Sequence, residues 1–200
     1  MAVYAQQYEQ TIIGPKEKSS LVEDLNRYID ASVNKDIDGI LKGIYPGIFK
    51  LNSREEMRKT LDNAFHDQSV DIYFNKPQTI KIFDTILVAN NKKYVLIYYE
   101  SVKTFVFHPR NKEKDNPMAF RGRMRYTLHK MKQTYGNQYV RQGSEDNIIY
   151  ITKPKYMLAV WLPKEKRFTF IDFSTDPNHM KMLETLFDKK LLDFFADKIK

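Results

Sequence analysis

Hydrophobic residues recur along this chain in two rhythms, and the change from one to the other falls near residue 70. Before it the spacing is helical. Leu21, Val22, Leu25, Tyr28, Ile29 and Val33 share one face behind the capping-box spacing of Ser20 and Glu23, which predicts a first helix. Asn34-Lys35-Asp36 interrupts the pattern, Asp36 can cap again, and Ile37, Ile40, Leu41 and Ile44 make a short second helix that stops before Pro46. Ser53 and Glu56 repeat the capping-box spacing and open a third helix, with Met57, Leu61, Ala64 and Phe65 inward. Residues up to Lys18 show no period and carry Gly14-Pro15, so they read as an extended arm.

From Val70 the period is two. Strands are expected at 70–74 and 79–89, with Pro77 confined to a bend or an edge because it has no donor for a ladder. Asn90-Asn91 is a turn pair leading into Lys93 to Phe107, the longest β-favouring run in the chain. The first half of that run is apolar on both faces: Tyr94, Leu96 and Tyr98 on one, Val95, Ile97 and Tyr99 on the other. Such a strand needs two covers. The helices of residues 20–66 supply one; because Tyr156 to Leu162 is apolar on both faces too, a second subunit is the expected other cover, which makes the chain a homodimer. After a polar loop come a helix over 119–135 with Phe120, Met124, Leu128, Met131 and Tyr135 on one face, and then strands at 148–152, 156–162 and 167–173. Asp176-Pro177 is a cap followed by Pro at the first helical position, opening a helical end in which Met180, Leu183, Phe187, Leu191, Phe194 and Phe195 face inward.

Helices first and an antiparallel sheet afterwards predict an α+β fold. A chain of 200 residues, 42% hydrophobic, is ordinary for one domain. The division expected is an arm over 1–19 and a single domain over 20–200, with an inserted basic loop and helix at about 108–136 and a helical extension at about 176–198. No stretch approaches the roughly 18 to 20 apolar residues that a membrane helix needs, so a soluble chain is expected. With no Cys, disulfides, thiolate metal sites and a Cys nucleophile are excluded. Val3-Tyr4-Ala5 before Gln6 resembles the end of a cleavable export signal, which leaves open a cytoplasmic location or export with the rest of the signal missing.

The run YIDASVNKDIDGILKGIYPGIF followed by SREEMRKTLDNAF, Tyr28 to Phe65, resembles the helical opening of nuclear transport factor 2-like proteins, the cystatin-like or SnoaL-like cone. YMLAVWLPKEKRFTFIDF, Tyr156 to Phe173, is similar to their closing hairpin. The resemblance spans about residues 20–173 and implies helices packed on the concave side of a strongly curved antiparallel sheet, with a cone whose mouth holds a small apolar or amphipathic ligand. It implies no single reaction, because the family includes isomerases, dehydratases, hydrolases and transport adaptors. The helix over 119–135 and the helical end from Asp176 are not standard parts of the cone, and either could plug or lid it.

An enzyme of that fold places an Asp, His or Tyr in the cone. Asp84, Glu100 and Asp172 are the acids embedded in apolar strand sequence, and Tyr28, Tyr73, Tyr98 and Trp161 are candidates to line the cavity; each also fits a plain surface or core role. His66, His108, His129 and His179 are far apart without ligand spacing, and no P-loop, Rossmann or GxSxG pattern occurs, so no metal or other cofactor is expected.

Charge adds one further feature. Residues 103–141 hold ten Lys or Arg against Glu113 and Asp115, a balance of +8 equal to that of the whole chain. On the expected helix Arg121, Arg125, His129 and Lys132 form a stripe beside the apolar face. A patch for phosphates or an acidic partner is one reading; a solvated face is the favoured one, because the aromatic residues there read as core and no nucleic-acid motif is present. Three functions follow: a non-catalytic small-ligand or protein-interaction module with a cone pocket, favoured here; an isomerase or hydrolase of the SnoaL-like kind; and a binder of nucleic acid or an acidic partner through 103–141.

Overall fold

The switch of rhythm near residue 70 is where helix gives way to sheet in the computed structural model, which describes residues 8–113 and 116–199. In chain order the elements are β1 (Glu9–Ile12), α1 (Pro15–Val33), α2 (Ile37–Gly43), α3 (Arg54–Phe65), β2 (Val70–Asn75), β3 (Ile80–Ala89), β4 (Lys92–Phe107), α4 (Pro117–Tyr135), β5 (Val140–Gln142), β6 (Ile148–Leu162), β7 (Arg167–Phe173), α5 (Pro177–Glu184) and α6 (Lys189–Asp197). This is an α+β arrangement of N-terminal helices on a seven-stranded antiparallel sheet, with helices again at the C-terminal end. The Val3-Tyr4-Ala5 pattern lies outside the described residues.

Several caps act where their residue types place them. Asp36 accepts from the Gly39 N–H, Ser53 and Glu56 close a reciprocal capping box, and Asp176 accepts from the N–H groups of Asn178 and His179. Asn90 and Asn91 both take positive φ, 49° and 60°, in the tight turn between β3 and β4. The first helix starts earlier than Ser20. Pro15 fits the first helical position, and the Glu17 carboxylate accepts from the Gly14 N–H at 3.1 Å. Part of the expected arm is strand β1, paired with β3 from Glu9↔Val88 to Ile12↔Thr85.

β4 and β6 form the spine. They pair without a register shift from Tyr94↔Val160 to Val106↔Ile148, and each outer edge changes partner midway. β3 pairs the first part of β4 and β2 its last part; β5 pairs the first part of β6 and β7 its last part. Both changes fall at one level, near Glu100↔Pro154, so the sheet has a waist. Ile148 to Leu162 is one strand, not the two expected, because Pro154 occupies the stretch of β6 between the β5 and β7 pairings. The Glu100 N–H points to the Thr79 carbonyl on the far side, so its partner Pro154 needs no donor toward β4.

The expected strong curvature is absent: the sheet is not strongly curled. A register shift between Ile82 and Ile86 confines the irregularity to β3, and the uninterrupted β4–β6 pairing carries no bulge to bend it.

Both faces of the first half are covered by the chain itself. α1 lays Leu21 and Leu25 on Val95, Ile97, Met157, Ala159, Phe168 and Phe170. On the opposite face α5 and α6 lay Leu183, Leu191, Leu192 and Phe195 on Leu87, Leu96, Leu158, Val160, Ile171 and Phe173. The apolar set expected to meet a second subunit therefore lies under the C-terminal helices. In the second half α4 covers the α1 side, packing Met124 with Phe105, Phe107, Ile149 and Ile151. No described helix is long and apolar enough to cross a membrane.

Candidate functional site

Alternation along β4 and β6 puts one set of side chains under α1, then at the waist, then under α4: Ile97, Tyr99, Ser101, Lys103 and Phe105 from β4, and Met157, Lys155, Lys153 and Ile151 from β6. The apolar pattern breaks in the middle of that series. There the cover of α1 ends and that of α4 has not begun, and a cleft of about 170 Å³ opens, with Tyr28 and Ser32 of α1, Phe74 of β2, Tyr99, Ser101 and Lys103 of β4, Lys155 of β6 and Asp172 of β7 on its walls.

Each wall has a local cause. Tyr28 stacks on Phe170, ring centroids 5.3 Å apart, and a Cβ at Gly43 would come within 2.4 Å of the Tyr28 ring, so glycine at 43 is what lets α2 approach. Phe74 is held edge-on by Phe65 of α3 at 6.0 Å and carries the Lys103 ammonium 4.9 Å from its ring centroid. Asp172 reaches across from the neighbouring strand to Lys155 at 3.0 Å. α1 is fixed to the sheet by Asp24, buried, whose Oδ2 accepts from the Phe168 N–H at 2.8 Å while its Oδ1 accepts from Arg27 at 2.6 Å.

Charge in the cleft is unbalanced. Lys155 is neutralised by Asp172; Lys103 pairs with no carboxylate among the described residues. Burial, with the Lys155 ammonium adding to it, pulls the Lys103 pKa below the ordinary lysine value against a smaller opposing pull from Asp172. Burial first, and the Asp172 carboxylate second, raise the phenol pKa of both Tyr28 and Tyr99. Both hydroxyls therefore stay protonated through neutral pH. Neither has a hydrogen-bond partner among the described residues, and no buried polar side-chain atom there lacks one, so both open onto accessible space. One unpaired cation and two O–H donors beside Phe74 and Met157 can receive an anionic or carbonyl oxygen with an apolar body behind it.

Of the residues singled out from sequence, Tyr28 and Asp172 meet in this cleft. Glu100 and Tyr98 alternate onto the opposite face of β4, where Tyr98 packs edge-on against Tyr156 at 5.4 Å. Tyr73 sits at the β2 edge, half-exposed, with the Lys35 ammonium 4.8 Å from its ring. Asp84 is exposed in the shifted part of β3 and pairs with Lys18 at 2.9 Å. Trp161 packs on Phe168 at 5.1 Å, at the other end of α1, beside a separate hollow with Lys16, Glu17 and Lys93. Sequence reasoning counted Lys103 in the basic segment and Tyr99 in an apolar strand face, and named neither of them nor Lys155 as a cavity residue. The signal was present, since Lys103 and Lys155 interrupt apolar strands at positions that alternation assigns to the covered face.

Arg121 and Arg125 are exposed on α4 and line a groove against the β5–β6 turn; His129 is exposed and Lys132 half-buried on the same helix. No group of three or more His, Asp or Glu side chains that could hold a metal occurs among the described residues. In comparison with known proteins, the chain matches no protein-family model and no curated protein sequence.

Proposed function

We propose that this chain is a small-ligand-binding module whose site is the waist cleft, and that its ligand is a fragment-sized amphipathic anion. The observation that carries this reading is Lys103, an ammonium without a carboxylate partner among the described residues, set over the Phe74 ring on the wall of a cleft that Tyr28 and Tyr99 also line. An unpaired, partly desolvated lysine is costly to keep in a fold and is completed by a ligand carboxylate or phosphate. A volume of about 170 Å³ is below the roughly 300 to 1,000 Å³ of drug-sized sites, so the ligand is small or only partly enclosed. Helices followed by a sheet, closed by the β6–β7 hairpin, support a relation to the nuclear transport factor 2-like cone in a flattened form.

The test is a thermal-shift and NMR titration with a panel of short aliphatic and aromatic carboxylates and their uncharged amides. Acids that shift Ser101, Lys103 and Tyr99 resonances, with amides inert and Lys103→Met abolishing the response, support the reading. Equal responses to acid and amide, or shifts confined to residues away from the waist, reject it.

A second reading rests on Asp172. Its carboxylate lies in the cleft, half-exposed and oriented by Lys155, in the position of a general base for proton abstraction from a bound ligand, as in an isomerase or hydrolase. Asp172→Asn that keeps ligand affinity and loses turnover of that ligand distinguishes catalysis from binding alone.

A further inference from the structure

α4 gives one face to the sheet, and most of the cations on the other have no charge partner among the described residues. Its 19 residues carry five Lys or Arg and no acid. Arg123 is committed internally: it clasps Glu113 at 2.8 and 2.9 Å and donates to the His108 carbonyl at 2.8 Å. Arg121, Arg125, Lys130 and Lys132 pair with no carboxylate among the described residues. At about 100° per residue Arg121, Arg125 and Lys132 fall within a sector of about 40° and span about 16 Å of helix.

Beside that row stands an aromatic ring that the core does not use. Tyr126 is two residues from the buried Met124, hence on the opposite side of the helix; it is 62% exposed, and Lys130 lies 5.7 Å from its centroid. Met118, 81% exposed, is in the same solvent face. A Cβ at Gly122 would meet nothing within 4 Å, so nothing in the fold requires this helix-weakening residue, and it leaves backbone open to close approach between Arg121 and Tyr126. A groove of about 410 Å³ runs alongside, between Arg121, Arg125 and Gln142, with Asp146 at its rim accepting from Gln142 at 3.2 Å.

The apolar face of α4 is already occupied by Phe105, Phe107 and Ile149, which removes the part of an amphipathic helix that would enter a lipid surface. Charge complementarity selects a polyanion. The exposed ring beside the Lys130 ammonium selects one that has planes to stack as well as phosphates to pair, and that has them unpaired and accessible.

We propose that this face of α4 and its groove bind single-stranded nucleic acid without base specificity, phosphates running along Arg121, Arg125 and Lys132 and a base stacking on Tyr126. This is independent of the cleft on the sheet.

The test is fluorescence anisotropy of the full chain with a labelled oligothymidylate and an oligouridylate of about ten nucleotides over a salt series. Three contacting cations give a slope of log affinity against log salt of about −2, and Arg121→Gln/Arg125→Gln flattens it by about 1.4. Tyr126→Ala weakens binding at least about fivefold while Tyr126→Phe holds it. Lys59→Gln/Lys190→Gln removes the same charge from exposed sites elsewhere and leaves binding near the parent value; circular dichroism confirms that each variant folds. An equal loss in that control, equal competition by duplex DNA or polyglutamate, or no binding at 50 mM salt overturns the proposal.

Discussion

On either side of the waist the same two strands live under different conditions. In the first half Val95, Leu96, Ile97, Leu158, Ala159 and Val160 are completely buried, held between α1 on one face and α5 and α6 on the other. In the second half only alternate residues are deeply buried: Phe105, Phe107, Ile149 and Ile151 go under α4, while Thr104, Val106, Tyr150 and Thr152 on the other face are half-buried or exposed. The sequence mirrors the difference. YVLIYY and YMLAVWL are apolar throughout, whereas KTFVF and IIYIT alternate more closely. Between the two regimes neither pattern holds, and there Lys103, Lys155 and Ser101 line the cleft. A candidate site is found where the requirement for a core lapses on a face that the fold nevertheless shelters.

That contrast can be broken by substitution. Phe195→Ala removes a side chain that is 1% exposed under the doubly covered half, with an expected cost of about 3 to 5 kcal/mol in urea unfolding. Met124→Ala removes the most buried contact of α4, and the expected cost is about 2 kcal/mol, at the low end for such truncations because its helical neighbours are half-exposed. Equal losses at the two positions would remove the distinction between the halves. Asp24→Ala is expected to cost about 1 to 3 kcal/mol, because the buried Phe168 N–H loses its acceptor; Asp24→Asn, which keeps an oxygen there, recovers part of it.

Lys103→Met is expected to act in the other direction. A lysine whose folded pKa is depressed binds its proton less readily in the native than in the unfolded chain, so stability rises with pH between the folded value and the ordinary lysine value. The variant lacks that penalty. It should unfold at higher urea than the parent, with the largest margin below the folded pKa of Lys103 and a margin that shrinks as pH approaches about 10.5. A variant less stable than the parent at neutral pH would show that Lys103 is a structural residue.

The smallest expected effect is alkaline. Burial raises the pKa of Tyr28, Tyr94 and Tyr99, so the native state keeps these phenols protonated where the unfolded chain ionises them. Their contribution to stability is complete below about pH 10 and is lost as pH rises above it. In an absorbance titration at phenolate wavelengths, these three should ionise only with unfolding.

Much of the fold was legible because its signals are local. The caps at Asp36, Ser53 and Asp176 and the Asn90-Asn91 turn depend on residues within four positions of one another, and all formed as their chemistry requires. Errors came where a distant partner decided the matter. Separate strands are expected at 148–152 and 156–162, yet β6 continues between them through Pro154, since the missing donor falls where β6 lies between its pairings with β5 and β7. Ser20 reads as a cap, yet Gly14 and Glu17 start the helix earlier, with Glu17 also tied to Lys93 on the sheet. Of seven pocket candidates, Tyr28 and Asp172 reached the cleft; Glu100 and Tyr98 missed it because one step along a strand turns a side chain to the other face.

The order of the main helices and strands, the capped starts of α2, α3 and α5, and the need of two central strands for cover on both faces were decided by the sequence alone, through spacing and short-range hydrogen bonding. Which segment supplies the second cover was decided only by the tertiary structure. Leu183 and Phe195 are no more apolar than a partner subunit's surface could be, and nothing in their spacing says which sheet face they reach. The flatness of the sheet and the meeting of Tyr28, Phe74, Lys103 and Asp172 belong to the same class. They depend on how strands align across distant parts of the chain, and that register is set by the sum of all contacts in the sheet rather than by any one run of residues.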